Sequence, residues 1–300
     1  YASGCHYQGN IGNCRRCGST EILIKSTTIL YKLKALLTRE LSFLMQRLFT
    51  YYRYFNLLSL DVAFGAAVSA YFLNNVFDVH VKPQGLVCLG LTVWLIYTAD
   101  HLVDARIIKN EASTMRHRFH QQYFKTIFWL AIGIFISILP LLFFIYKPVL
   151  DMGIRLALLV VVYFLVQRKL RFLKEVLGAM LYCVGVMLPI IAMSEMSVKV
   201  LHTLPAVLFF NTALINLVLF SWFDRDKDRM DNHPSLVTSV GDKIAQTILY
   251  ALLLIQLVLL SYAFMIGTQF QIWVVFFLMY LVLLFIFLKA NWFSCNDRYR

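Results

Sequence analysis

Charge is scarce in this chain for its length. Asp, Glu, Lys and Arg make up 15% of its 300 residues, hydrophobic residues make up 60%, and the mean hydropathy is +0.70. That leaves too little polar surface to cover a soluble globule of this length. Acidic residues are the scarcer sign, 16 against 28 Lys and Arg, for a net charge of +12. The six cysteines suggest no disulfide framework. Cys88 and Cys183 fall in apolar runs, where they read as small packing residues, and Cys295 lies near the end of the chain. Cys5, His6, Cys14 and Cys17 contain one CxxC without a second pair at matching distance, which is weak ground for zinc. No apolar core followed by a small-residue cleavage site opens the chain, so no cleavable signal peptide is expected.

What is present in abundance is long apolar runs. A membrane-crossing helix needs about 20 mostly apolar residues, because in hydrocarbon every backbone N–H and C=O must be bonded within the segment. Eight stretches qualify, near 55–76, 85–104, 126–146, 149–166, 175–194, 203–223, 244–266 and 270–289. The expected fold class is therefore all-α, a polytopic membrane helical bundle. Alternate connectors differ in charge. Arg106, Lys109, Arg116, Arg118, Lys125, Arg168, Lys169, Arg171, Lys174, Arg225, Lys227, Arg229 and Lys243 lie on one side, against Lys82, Lys147, Arg155 and Lys199 on the other. Thirteen against four is a positive-inside signal, which puts the basic connectors and both termini in the cytoplasm. Cations spread over short connectors argue against a nucleic-acid partner.

The first 44 residues are unlike the rest. Residues 1–20 are polar, while Ile29, Leu30, Leu33, Leu36, Leu37 and Leu44 recur near helical spacing among Lys25, Lys32, Lys34 and Arg39. Two readings stand: an interfacial amphipathic helix on an anionic leaflet, or flanking sequence ahead of Met45, the first methionine. The expected organisation is an extension over 1–44 and one membrane-embedded domain over 45–300, with halves at about 54–166 and 175–289.

Two aspartate clusters sit where apolar spans run out: Asp100 and Asp104 after the second, and Asp224, Asp226, Asp228 and Asp231 after the sixth. Carboxylates at the end of a spanning segment are expensive to desolvate and mark ion or substrate paths. Asp100 and Asp104 are four apart, as are Asp224 and Asp228, so each pair shares a helical face. Both pairs lie at helix carboxyl ends, where the macrodipole already places negative charge and a cation is needed to offset it. Mg²⁺ suits such pairs, since it takes one or two carboxylates and fills its shell with water and substrate phosphate. The clusters occupy corresponding places in the two halves, which suggests an internal duplication that brings them face to face across a central cavity.

These residues resemble a family. Asp224-Arg-Asp-Lys-Asp228 resembles the second aspartate-rich motif, DxxxD, of the UbiA-type intramembrane prenyltransferases, and Asp100-His-Leu-Val-Asp104 resembles the later half of their first motif, NDxxDxxxD. The connector Arg168-Lys-Leu-Arg-Phe-Leu-Lys174, with Gly178, Gly185 and Pro189, is similar to the pattern after their fourth helix. The likeness covers roughly residues 50–290. In the first motif the leading Asn-Asp falls on Ile96 and Tyr97, and eight spans are counted where the family commonly has nine.

The resemblance implies Mg²⁺-dependent transfer of an isoprenoid group from an allylic diphosphate to a hydrophobic or aromatic acceptor within the bilayer. It implies metal binding at Asp100, Asp104, Asp224 and Asp228, with weaker parts for Asp226 and Asp231. It further implies diphosphate contacts from Arg168 and Lys174, helped by Arg116 and His117. Two other functions compete: a catalytically degenerate homologue that binds isoprenoid diphosphate without turnover, and a membrane transporter. Asp104-Ala-Arg106 echoes part of the CDP-alcohol phosphotransferase signature, whose Gly positions and downstream aspartates are missing.

Overall fold

The computed structural model describes residues 16–108, 112–170, 173–194, 197–231 and 235–294, the side chains of 16–33, 35–37, 168, 197 and 294 excepted. The expectations about Cys5, His6, Cys14, Cys17 and Cys295, and about the side chains of Arg168 and Arg171, lie outside these residues. The chain divides into two units, Tyr1–Tyr54 and Phe55–Arg300.

Helix α1 runs over Arg16–Leu57. In its described side chains Leu41, Leu44, Met45, Leu48 and Tyr52 are exposed along one stripe, and the Arg47 guanidinium stacks over Phe43 at 4.6 Å. Ser59, buried and left-handed at φ 55°, starts α2, Leu60–Val76. This turn breaks the first expected span, 55–76, between the end of α1 and α2. The next helices are α3 (Pro83–Ile107), α4 (Met115–Gln122), α5 (Phe124–Leu142) and α6 (Lys147–Leu170). Then come α7 (Leu173–Val186), α8 (Leu188–Met193), a 3-10 turn at Ser197–His202, and α9 (Leu204–Met230). The last are α10 (Leu236–Val240), α11 (Asp242–Met265), α12 (Phe270–Leu288) and α13 (Ala290–Ser294).

All eight expected spans fall on helices. Six of these helices, α3, α5, α6, α9, α11 and α12, are long and apolar enough to cross a membrane. The fifth expected span is broken into α7 and α8. Pro189 at the start of α8 has no N–H to offer the carbonyl of Gly185, so α7 cannot run on as a regular helix. Chain order repeats across the halves. Each aspartate-bearing helix, α3 and α9, is followed by a short helix, α4 and α10, before the next span.

Helix α9 is the centre of packing. Over half of its most apolar window is buried, against none of the window of α6, which leaves α6 to face the surroundings. The core joins Leu73 of α2, Met187, Ile190 of α8, Leu208, Ile215 and Leu219 of α9, Leu249 and Leu260 of α11 and Phe276 of α12. Helices α2 and α7 touch, and both bury small residues in the shared core, Ala66 and Ala70 on one and Ala179 and Cys183 on the other. Small side chains let backbones approach closely, the main source of attraction between helices in lipid. Gly178 serves the same end: a Cβ there would stand 3.4 Å from the Tyr163 hydroxyl and 3.6 Å from Leu217. A buried polar clamp ties α9 to α11, with Asn211 Nδ2 donating to Gln256 Oε1 at 2.7 Å and to the Leu252 carbonyl, and Gln256 Nε2 donating to Thr212 Oγ1 at 3.1 Å.

Candidate functional site

The site is built at the carboxyl ends of α3 and α9. Asp104, Asp224 and Asp228 are buried, 4%, 5% and 8% exposed, and Asp100 is half-buried. Burying carboxylates at the negative end of a helix is doubly unfavourable, so each pair needs compensation close by.

At α3 that compensation comes from α4. Gln121 holds α4 against the end of α3: its amide nitrogen donates to the Ala105 and Ile108 carbonyls at 3.2 and 3.0 Å, and its oxygen accepts from Ala112 N–H at 3.1 Å. Thr114 caps the helix by accepting from His117 N–H. So fixed, α4 presents Arg116, His117 and His120 to α3. Arg116 Nη1 lies 3.1 Å from His101 Nε2. A guanidinium only donates, so His101 Nε2 accepts there. His117 Nε2 stands 3.9 Å from Asp104 Oδ2, and the His101 ring packs at 6.1 Å from His117 and 5.1 Å from His120. His120 Nδ1 donates to the Arg116 carbonyl at 2.9 Å. Burial pushes the His120 imidazole below its ordinary value; the bond to that carbonyl pulls it upward and the charge of Arg116 pushes it down. Asp100 Oδ1 accepts from Gln167 Nε2 of α6 at 2.9 Å. Asp61 of α2, the first apolar helix, also belongs here. Its Oδ2 accepts from Asn56 at 2.7 Å, and it lies, like Tyr97, in electrostatic range of Arg116.

At α9 the carboxylates divide by face. Asp226 is 72% exposed and pairs with Arg229 at 3.6 Å and Arg225 at 4.0 Å. Arg225 also reaches Asp242 of α11 at 3.2 Å and stacks over Trp222. Asp231, at the end of the helix, accepts the Ser113 N–H with both carboxylate oxygens, at 3.0 and 3.2 Å. This contact brings the connector that follows α3 onto the end of α9, so the two aspartate segments sit at the same end of their unit. Asp224 and Asp228 are on the inner face with Ser221. There Glu175 of α7 accepts the Leu236 N–H with Oε1 at 2.7 Å, which anchors α10. Its Oε2 and the neighbouring Ser221 Oγ are buried without a well-placed hydrogen-bond partner. Lys174 adjoins this carboxylate, and its carbonyl accepts from the Tyr163 hydroxyl at 3.2 Å.

Among the described residues no three His, Cys, Asp or Glu side chains gather closely enough to hold an ion by themselves. A magnesium ion does not require that, since one or two carboxylates suffice when water and phosphate complete its shell. The α9 face fits such an ion, with two buried carboxylates one turn apart and the Ser221 hydroxyl on the same side of the helix. The α3 pair fits it less well, because Asp100 is engaged by Gln167 and a guanidinium stands nearby. The sequence reading did not include His101, His120, Gln121, Gln167, Tyr163 or Glu175. The signal for two of them, His120 and Gln121, was present in Met115-Arg-His-Arg-Phe-His-Gln-Gln122, whose His117 and His120 share a helical face.

No protein-family model and no curated protein matches this sequence. Two solved structures do match in fold. Both are of a UbiA homolog from Archaeoglobus fulgidus, one bound to DMAPP and Mg²⁺ and the other to GPP and Mg²⁺. Each superposes with a TM-score of 0.57 at 16% sequence identity, over 79% of this chain and 86% or 87% of the other. The long helices, the aspartates at the ends of α3 and α9 and these superpositions agree: this chain has the UbiA-type helical membrane fold, in a divergent sequence.

Proposed function

We propose that the protein transfers an isoprenoid group from an allylic diphosphate to an acceptor dissolved in the bilayer. The observation that carries this reading is the convergence of buried carboxylates and cations at one end of an otherwise apolar bundle. That end holds Asp104, Asp224 and Asp228 together with Arg116 and Lys174. The fold neighbours bound to DMAPP and GPP with Mg²⁺ support it.

Asp224 and Asp228 are the residues that hold magnesium, with Asp100 and Asp104 facing the same substrate from α3. Magnesium bound there neutralises the charge that develops on a departing diphosphate. Arg116 and Lys174 grip the phosphate oxygens, with Arg168 assigned the same part from its place in the sequence. His117 supports Asp104, and Asp231 fixes the connector that positions α4. The apolar helix walls bury the isoprenoid tail at about 0.8 kcal/mol per CH₂ and keep water from the allylic cation. When the C–O bond of the donor breaks, its electron pair leaves with the diphosphate, and the allylic carbon is attacked by the acceptor, which then loses a proton. The basic connectors put this site on the cytoplasmic side.

The test is incubation of the purified protein in detergent with a radiolabelled allylic diphosphate, aromatic acceptors and Mg²⁺. Prenylated product that disappears with EDTA is the expected result. Metal-dependent binding without product for any acceptor would replace transfer by binding alone, and diphosphate-independent solute uptake by vesicles would replace it by transport.

A further inference from the structure

The two aspartate pairs are compensated in different ways. On α9 the nearby arginines turn outward: Arg229 goes to Asp226, and Arg225 to Asp226, Asp242 and the Trp222 ring. On α3 the protein brings its own cation inward. Arg116 is half-buried, its Nη1 meets His101, the residue following Asp100, and its charge acts on both Asp61 and Tyr97. Tyr97 stands one turn before His101 on the same helix, in electrostatic range of both Asp100 and Arg116. A phenol there supplies no carboxylate, Asp100 is bonded to Gln167, and Asp104 has the His117 ring beside it. This is a poor cradle for a divalent ion, since a fixed guanidinium repels one and the carboxylates already serve protein partners.

It is a good cradle for a phosphate-binding arginine. A guanidinium presents a planar fork that matches two phosphate oxygens, and it is charged at every relevant pH. The fork is also held still. Gln121 pins α4 to the end of α3 by two hydrogen bonds and to the connector at Ala112 by a third, and the Arg116 carbonyl is fixed by His120. An arginine held in this way loses little entropy on gripping its ligand. From this geometry, and resting on the diphosphate reading above, we infer that Arg116 takes the place of a metal ion at the first aspartate pair. The chain then binds an allylic diphosphate with one divalent ion, at Asp224 and Asp228, and one built-in guanidinium. Asp61, His101, Asp100 and Asp104 act as positioning residues for Arg116.

The experiment counts ions. Mn²⁺ is titrated into the full-length protein in detergent and followed by electron paramagnetic resonance, with an allylic thiolodiphosphate, which resists ionisation, as the probe. The expected result is one tightly held Mn²⁺ per chain in the presence of the analogue, lost in Asp224→Asn and retained in Arg116→Ala. Arg116→Ala binds the analogue about ten- to a hundredfold more weakly, as expected for charge-assisted bonds to phosphate, and Arg116→Lys recovers part of that loss. Two ions per chain on the bound analogue, or unchanged analogue affinity in Arg116→Ala, overturns the inference and leaves the diphosphate reading standing. A wild-type protein that does not bind the analogue at all overturns both. Should Arg116→Ala fail to fold, the ion count on the wild type decides alone.

Discussion

Asp224 and Asp228 carry the strongest claim at the scale of single residues, since two buried carboxylates one turn apart at the negative end of a membrane helix make a site suited to a cation. Replacing either by Asn removes the charge and keeps the shape. We predict a loss of metal-dependent transfer of about two orders of magnitude or more, checked by initial rates at saturating Mg²⁺, with the thermal midpoint little changed. Asp226→Asn should leave the rate nearly intact, because that carboxylate is exposed and paired with Arg225 and Arg229. His120 gives a prediction about pH. Its imidazole is held below the ordinary value of 6.5 by burial, so the unfolded chain binds this proton more readily than the folded one. The contribution to stability is full above the unfolded value and is lost as the pH falls through the folded one. Thermal midpoints should therefore drop on acidification below a pH of about 6.5, and His120→Gln should flatten that drop. A wild-type profile already flat across this range would contradict it. His101 and His117 face the same ring and Arg116 adjoins it, so the comparison is made within the single variant.

Among the elements, the short helices after each aspartate segment matter most. Helix α10 begins with a capping box of Ser235 and Thr238, and the Glu175 carboxylate accepts the Leu236 N–H, so an element of α7 fixes the segment that follows the second motif. Glu175→Ala leaves that buried N–H unpaired and should cost about 1–3 kcal/mol. Denaturant or thermal unfolding in detergent measures it, and an unchanged midpoint would show that α10 is held by its apolar contacts alone. The clamp between α9 and α11 is a weaker case. Asn211→Ala should cost about 0.6 kcal/mol, up to about 1.7, because polar groups find other partners in the unfolded reference state within lipid. Such short helices are poorly legible in a sequence. Met115–Gln122 is polar and rich in His, and Leu236–Val240 is five residues long, so neither shows the sustained apolar run by which a span is recognised. The same reasoning explains the break between α7 and α8, where Pro189 was visible but its effect depended on how neighbouring helices repack.

For the molecule as a whole, the fold was legible because a membrane restricts the solutions to a few. Eight apolar runs read as eight spans; all are helical, the first and fifth broken into two helices each, and six of the described helices are each long and apolar enough to cross alone. The aspartate pairs were legible for the same reason, being charge where charge is costly. Spacing set Asp226 on another face than Asp224 and Asp228, and it is exposed where they are buried. What spacing could not show is that Asp231 would meet a backbone N–H across 118 residues of chain. The direct test of the central claim is equilibrium binding of radiolabelled GPP to the purified protein, with Mg²⁺, with EDTA, and in Asp224→Asn/Asp228→Asn. Saturable binding that needs both the metal and the two aspartates is the predicted result. Binding indifferent to EDTA and to the double substitution, or no binding at all, would contradict it.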